Sequence, residues 1–213
     1  MIRDLFPQFQ DRIDCRFLTK NDRYDVPEPR VRLHQVHGNR TIVAREPIES
    51  TEQADGVITD TPGLHLMVRA ADCQNFAVYA PGHHVCGVLH AGWRGILAGA
   101  IPEFFTVLER AFGIEPYETF VAAGPSMCLA CAEYKDPDFE LRKKIDPRFV
   151  HDDHVDLQGA ATMQLLQLGL PRDHFARYSD CTTCHPKTYV TYRGGDRERV
   201  EQGGSNVLIV NLV

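Results

Sequence analysis

Between residues 31 and 81, short apolar or β-branched runs alternate with turn residues. The runs are Val31–Val36, Thr41–Ala44, Gly56–Thr59, Leu64–Val68 and Phe76–Tyr79, and the breaks fall at Gly38-Asn39, Asp60-Thr61-Pro62-Gly63 and Pro81-Gly82. Runs of this length closed by such turns predict a succession of strands. His84–His90 predicts a further, buried strand. After the glycines at 92 and 95 the period changes: Leu97, Ala100, Ile101, Phe104, Leu108, Ala111 and Phe112 recur at three and four, a helix face that stops at Gly113. Pro102 interrupts this helix as a kink or a restart.

Downstream, Thr119–Ala123 predicts a strand running into Gly124-Pro125, and Asp138–Ile145 a short helix. Leu157–Leu168 predicts a helix with Asp156 as N-cap and Gly169 in the C′ position. Tyr189–Tyr192 and Val207–Val210 predict two closing strands. Residues 1–30 carry Pro7, Pro27, Pro29 and many charges without a period, an irregular lead-in with one short strand near Cys15–Leu18. Strands and helices mix without a βαβ beat, which favours an α+β layered sandwich over a doubly wound fold. At 213 residues the chain is expected to form a single domain.

Composition narrows the function. With 43% hydrophobic and 24% charged residues the chain is globular, not disordered or coiled-coil. Its 23 basic residues face 29 acidic ones, a net charge of −6 with no basic cluster, so the electrostatic footprint of a nucleic-acid binder is missing. No apolar run approaches the about 18 residues of a membrane span, and Met1-Ile2-Arg3-Asp4 lacks a signal peptide's apolar core, so a cytoplasmic location is expected. Seven cysteines, an odd number, argue against a disulfide scaffold and leave buried thiols, metal ligands or nucleophiles.

Three segments carry chemistry. His34-Gln35-Val36-His37-Gly38 ends a strand before a glycine turn, and the odd spacing of its histidines lets only one join a given site unless the strand breaks first. Ala70-Ala71-Asp72-Cys73-Gln74 sets an acid and a thiol among small residues; the plain alternative is a buried cysteine with Asp72 capping a turn. His90-Ala91-Gly92-Trp93-Arg94-Gly95 is the most informative. A strand ends in histidine, and the following helix offers unpaired N–H groups to an anion, reinforced by Arg94. Trp93 could there stack on a flat ligand, the plain alternative being a core tryptophan beside a surface arginine. Phosphate or sulfate is expected near Arg94. His37, Cys73 and His90 together offer two imidazoles and a thiolate, the count of a catalytic zinc with its fourth position open. Separations of 36 and 17 residues match no local finger, so only the fold can bring them together.

In order, His37-Gly38, Ala71-Asp72-Cys73, His90-Ala91-Gly92-Trp93-Arg94-Gly95, Gly124-Pro125, Asp156-Leu157 and Cys181-Thr182 resemble the motifs of the polyphenol oxidase/laccase-domain family, also called peptidoglycan editing factor. The resemblance runs from about Val31 to the C-terminus and implies a sandwich related to the catalytic domain of cytotoxic necrotizing factor. It implies zinc on His37, Cys73 and His90, and phosphorolysis of purine nucleosides (adenosine, inosine, guanosine or methylthioadenosine), with adenosine deamination in some members. On this reading Asp72, Cys73, His90 and Arg94 form the catalytic set, and Gln35, Asn39, Trp93 and Arg94 meet the nucleoside and phosphate. Asp72 or Gln35 would support the ligands or handle protons. The family's older name implies a copper oxidase instead, yet this chain has no His-x-His pair for a multicopper cluster, although copper can displace zinc in vitro. A metal-free hydrolase with Cys73 as nucleophile and His90 as base is a third reading, and a zinc-stabilised binding protein a fourth. Cys128-x-x-Cys131 and Cys181-x-x-Cys184 lie 49 residues apart, whereas zinc fingers keep their pairs within about 20. A four-thiolate metal and a redox dithiol are both open for them, and the resemblance places both pairs near the site as ordinary or substrate-adjacent thiols.

Overall fold

The computed structural model describes residues 1–2, 5–141 and 144–213. Along the chain run β1 (Ile13–Leu18), β2 (Arg30–His34), β3 (Thr41–Val43), β4 (Ile48–Gln53), β5 (Gly56–Thr59), β6 (His65–Ala70), β7 (Gln74–Ala80) and β8 (Val85–Ala91). Then follow α1 (Trp93–Leu97), α2 (Ala100–Phe112), β9 (Phe120–Ala123), α3 (Pro137–Glu140), β10 (Val150–His151), β11 (His154–Val155) and α4 (Leu157–Gln167). β12 (Phe175–Arg177), α5 (Arg197–Glu201) and β13 (Asn206–Leu212) complete it.

Among the described residues a five-stranded sheet, β1-β13-β6-β2-β4, stacks on a six-stranded sheet, β12-β9-β7-β8-β5-β3. Both are mixed: β2 runs parallel to β4 and β6, and β3 to β5, while β7, β8 and β13 pair antiparallel with their neighbours. Alternation along β7 shows how the layers form. Ala77 and Tyr79 point into the core between the sheets, with Phe17, Val31, Leu66 and Leu208. Phe76, Val78 and Ala80 point the other way, against α1, α2 and α4 through Ile96, Phe104 and Leu165. With both faces covered, every residue of β7 and β8 is buried, as expected of a central strand between two apolar layers. The expected α+β layered sandwich is the observed class.

Differences from the sequence reading have local causes. The predicted long helix breaks at Gly99, whose φ of +79° ends α1, and Pro102 falls in the first turn of α2, where its missing N–H disturbs no helical bond. Asp156 does cap α4, accepting from the Gly159 N–H at 2.8 Å. In the lead-in, β1 is a full edge strand that brings Phe17 into the core. β4 escaped the sequence reading because its run of Glu49, Ser50, Thr51 and Glu52 has no apolar period. Tyr189–Tyr192 is not a strand: the Asn206 side chain takes both the N–H and the carbonyl of Val190, at 2.8 and 2.7 Å, in place of a neighbouring strand. The helix predicted at Asp138–Ile145 is α3, shorter and shifted; Arg142 and Lys143 lie outside the described residues.

Gly87, in the middle of β8, lies under α2. A Cβ there would sit 2.6 Å from Cζ of Phe104 and 2.9 Å from the Val57 carbonyl oxygen. Gly87→Ala is expected to destabilise the protein by about 1–3 kcal/mol through overpacking. Thermal unfolding should show a fall of several degrees; an unchanged midpoint would contradict this packing.

Candidate metal centre and pocket

Strand register sets the site. Because β7 and β8 are antiparallel, with Gln74 opposite Ala91 and Asn75 opposite His90, the turn entering β7 and the end of β8 share one edge of the sheet. That turn carries Cys73. Its backbone is sharp, with Asp72 at φ +82°, a conformation that costs on the order of 1 kcal/mol or more in a non-glycine residue. The surroundings hold it there. The Asp72 carboxylate accepts from the hydroxyls of Thr182 (2.7 Å) and Thr183 (3.3 Å) and the N–H of Arg193 (2.8 Å), and its carbonyl accepts from the Met127 N–H at 3.0 Å.

His37 arrives from the loop after β2. The strand ends at His34, so the opposite-face rule no longer separates the two histidines, and His37, itself exposed, turns toward His90 with φ +58°. Gln35 continues the β2–β6 pairing through its side chain, whose amide exchanges two hydrogen bonds with the backbone of Arg69, at 2.9 and 2.7 Å. Gln35 thus borders the pocket as a positioning residue, and both ends of its amide are engaged.

Asp55, fully buried, joins the two histidine carriers and was missed in the sequence. Its carboxylate accepts the N–H groups of Val36, His37 and Gly38 at 3.2, 3.0 and 2.8 Å. The same carboxylate lies 2.8 Å from Nδ1 of His90, and its carbonyl accepts the His90 N–H at 2.8 Å. Burial alone would raise the Asp55 pKa; the His90 hydrogen bond and the loop N–H groups outweigh it and hold it below the usual carboxylate range. An ionised Asp55 fixes Nδ1 of His90 as a donor and leaves Nε2 to the site, the arrangement in which metal-binding histidines are commonly held.

The donor atoms of His37, Cys73 and His90 lie within 4.8 Å of one another, and the two imidazole rings meet edge-on at 86°. Burial pushes the Cys73 thiol up, but the imidazoles of His90 and His37 prevail and bring it down to about 6. Burial likewise disfavours the His90 cation, yet the Cys73 and Asp55 charges raise it to about 9. Two nitrogens and an anionic sulfur make a donor set suited to zinc or copper. Gly92 keeps the space open: a Cβ there would stand 2.9 Å from Sγ of Cys73 and 3.1 Å from Cδ2 of His37. Gly95 lets α1 close on the same loop, since its Cβ would meet the Gly38 carbonyl oxygen at 2.9 Å.

The trio forms part of the wall of a cavity of about 1000 Å³, bordered also by Arg69, Trp93, Arg94, Tyr134, Arg193 and Arg197. Three expectations change here. Asn39 is not a pocket residue: its amide donates to the Ala98 carbonyl at 2.9 Å, fastening the loop to the end of α1 on the outside. Trp93 is half-buried, and its ring carries the Arg94 guanidinium 4.4 Å from its centroid, so one face of the indole is taken by the arginine. Finally, α1 has only five residues, too short for a strong macrodipole, so anion attraction rests on the arginines. Tyr134 was missed by sequence reasoning, and Arg193 was given no site role there. Burial pushes the Tyr134 hydroxyl up to about 12.

The fold and the sequence both have relatives among known proteins. A hypothetical protein YfiH of Bacillus licheniformis superposes with a TM-score of 0.81 at 19% identity, covering 94% of this chain and 93% of that one. YlmD of Geobacillus stearothermophilus superposes at 0.75 with 24% identity, over 87% of this chain and 74% of that one. By sequence, this chain is 27% identical to the Geobacillus protein, named purine nucleoside phosphorylase YlmD, over 81% of this chain and 75% of that one. A purine nucleoside phosphorylase of Bacteroides thetaiotaomicron is 29% identical over 68% of this chain, a match that spans only 57% of that protein's length. Residues 16–211 match one family almost end to end, and the chain belongs to the multi-copper polyphenol oxidoreductase laccase family.

Proposed function

We propose that the protein is a zinc-dependent purine nucleoside phosphorylase, which breaks the bond between ribose and purine, joins phosphate to the anomeric carbon and releases the base. The observation that carries this reading is the convergence of His37, Cys73 and His90 beside a cavity of about 1000 Å³ bordered by arginines in a chain of net charge −6. A pocket of that size accommodates a nucleoside with a phosphate. The names of the related proteins support the same substrates. Neither cluster able to hold a metal among the described residues, His37/Cys73/His90 or the four cysteines 128, 131, 181 and 184, is a multi-histidine set of the kind an oxygen-reducing copper centre needs.

Zinc on His37, Cys73 and His90 would supply a Lewis acid for a substrate oxygen and acidify a bound water. The chain's own residues do the rest. Arg94, exposed at the mouth and steadied over Trp93, binds the phosphate oxygens. Tyr134 borders the cavity, and its hydroxyl is placed to donate to the nucleoside. Asp55 orients the His90 imidazole and holds the backbone of the His37 loop, and Asp72 holds the Cys73 turn as a positioning residue. A lowered Cys73 thiol beside His90 also favours a second reading, a metal-free thiol hydrolase. Alkylation of Cys73 separates the two: protection by bound metal, lost with chelator, supports the phosphorylase, and equal labelling with and without chelator supports the hydrolase.

Purified protein given adenosine, inosine or guanosine with phosphate should release free base and ribose 1-phosphate, and given methylthioadenosine should release adenine and 5-methylthioribose 1-phosphate, with inosine formed from adenosine as the readout of deamination. Silence across this panel with zinc bound would reject the assignment, as would near-stoichiometric copper at purification. Arg94→Ala should raise the KM for phosphate by about ten- to a hundredfold, the worth of a charge-assisted hydrogen bond, with a smaller effect on nucleoside KM. Equal change in both constants would remove Arg94 from the phosphate. Asp55→Asn keeps an acceptor but loses the charge, and should weaken metal binding by about ten- to a hundredfold in chelator competition. Unaltered affinity would contradict its role.

A further inference from the structure

Cys128, Cys131, Cys181 and Cys184 play no part in the reading above, yet the fold brings all four sulfurs within 4.8 Å of one another. Two turns present them. Cys128 opens the 3-10 turn Leu129–Cys131, and Cys181–Cys184 closes a tight turn in which the His185 N–H donates to the Cys181 carbonyl at 3.2 Å. A lone bridge between Ser126 and Cys181 sets the turns side by side, reinforced by the Thr182 N–H on the Ser126 carbonyl at 3.3 Å. The 49 residues between the pairs are therefore no obstacle, because the bridge supplies the proximity that a finger obtains from a short spacing.

We propose that these four cysteines hold a structural zinc ion that clamps two loops of the pocket wall together. Four sulfurs at about 2.3 Å from a tetrahedral ion stand about 3.8 Å apart. The Cys131 and Cys184 sulfurs are 3.5 Å apart, near that value and far beyond the about 2.05 Å of a disulfide. The backbone N–H groups of Cys128 and Cys184 both point at Sγ of Cys181, at 3.3 and 3.4 Å, so the negative charge of a tetrathiolate set is partly met before the ion is counted. Four protein ligands leave no open coordination position, which makes the site structural.

The position gives the clamp its purpose. Met127 precedes the first pair and Tyr134 follows it, and both border the cavity. Thr182 and Thr183, inside the second pair, brace Asp72 and thereby the Cys73 turn. Among the described residues, the stretch from 178 to 196 contains no helix and no named strand.

The inference stands apart from the nucleoside reading, because metal content tests it without a substrate. Protein purified without added metal should carry two zinc ions per chain. His37→Ala should carry one, and zinc-edge absorption of that variant should show four sulfurs at about 2.3 Å. Cys128→Ser with Cys184→Ser should lose the other ion and raise KM for substrate more than it lowers kcat. The His37→Ala measurement keeps the native cysteines, so it decides the matter even if the cysteine variant does not fold. No zinc in that variant, nitrogen or oxygen in its coordination, iron in place of zinc, or a Cys131–Cys184 disulfide in the native protein would each overturn the proposal.

Discussion

One buried carboxylate organises the site. Asp55 has no exposed surface, so its charge is tolerable only if several donors meet it, and the fold supplies three loop N–H groups and an imidazole. Satisfying Asp55 therefore fixes where His37 sits and which nitrogen of His90 is free. Removing the carboxylate would leave three loop N–H groups and a buried imidazole without their acceptor. Stability and site geometry rest on the same contact.

Around it, strand register and two glycines do the remaining placement. The antiparallel pairing of β7 with β8 puts Cys73 beside His90, and the parallel pairing of β2 with β6 in the facing sheet, prolonged by the Gln35 amide, brings His37 across to meet them. Gly92 and Gly95 then let backbone and ligands approach to distances a Cβ would forbid. The His-Ala-Gly-Trp-Arg-Gly string thus combines a ligand, two close approaches and a cation. Asp72 closes the arrangement by linking the Cys73 turn to Thr182, Thr183 and Arg193.

Much of this was legible in the sequence wherever a local rule acts alone. β5 and β7 follow from apolar runs between turns, α2 from its apolar face and its stop at Gly113, and α4 from its Asp156 cap. What was missed depends on partners distant in sequence. Asp55 reads as a turn acid between Ala54 and Gly56; its one sequence signal is a carboxylate flanked by two small residues at the mouth of a buried strand. Asn39 looked like a substrate residue because it follows His37 and Gly38, yet its side chain turns outward to Ala98. The spacing of the cysteine pairs left a four-thiolate metal as one reading among several, because linear spacing does not register the Ser126–Cys181 bridge.

The account rests on His37, Cys73 and His90 sharing a single divalent ion under the control of Asp55. The direct measurement is a crystal structure of the protein as purified, with diffraction recorded on both sides of the zinc absorption edge. The account predicts an anomalous peak in contact with Sγ of Cys73, Nε2 of His90 and a ring nitrogen of His37, with Nδ1 of His90 still on Asp55. Side chains turned apart with no peak between them, in crystals of zinc-replete protein, would contradict it.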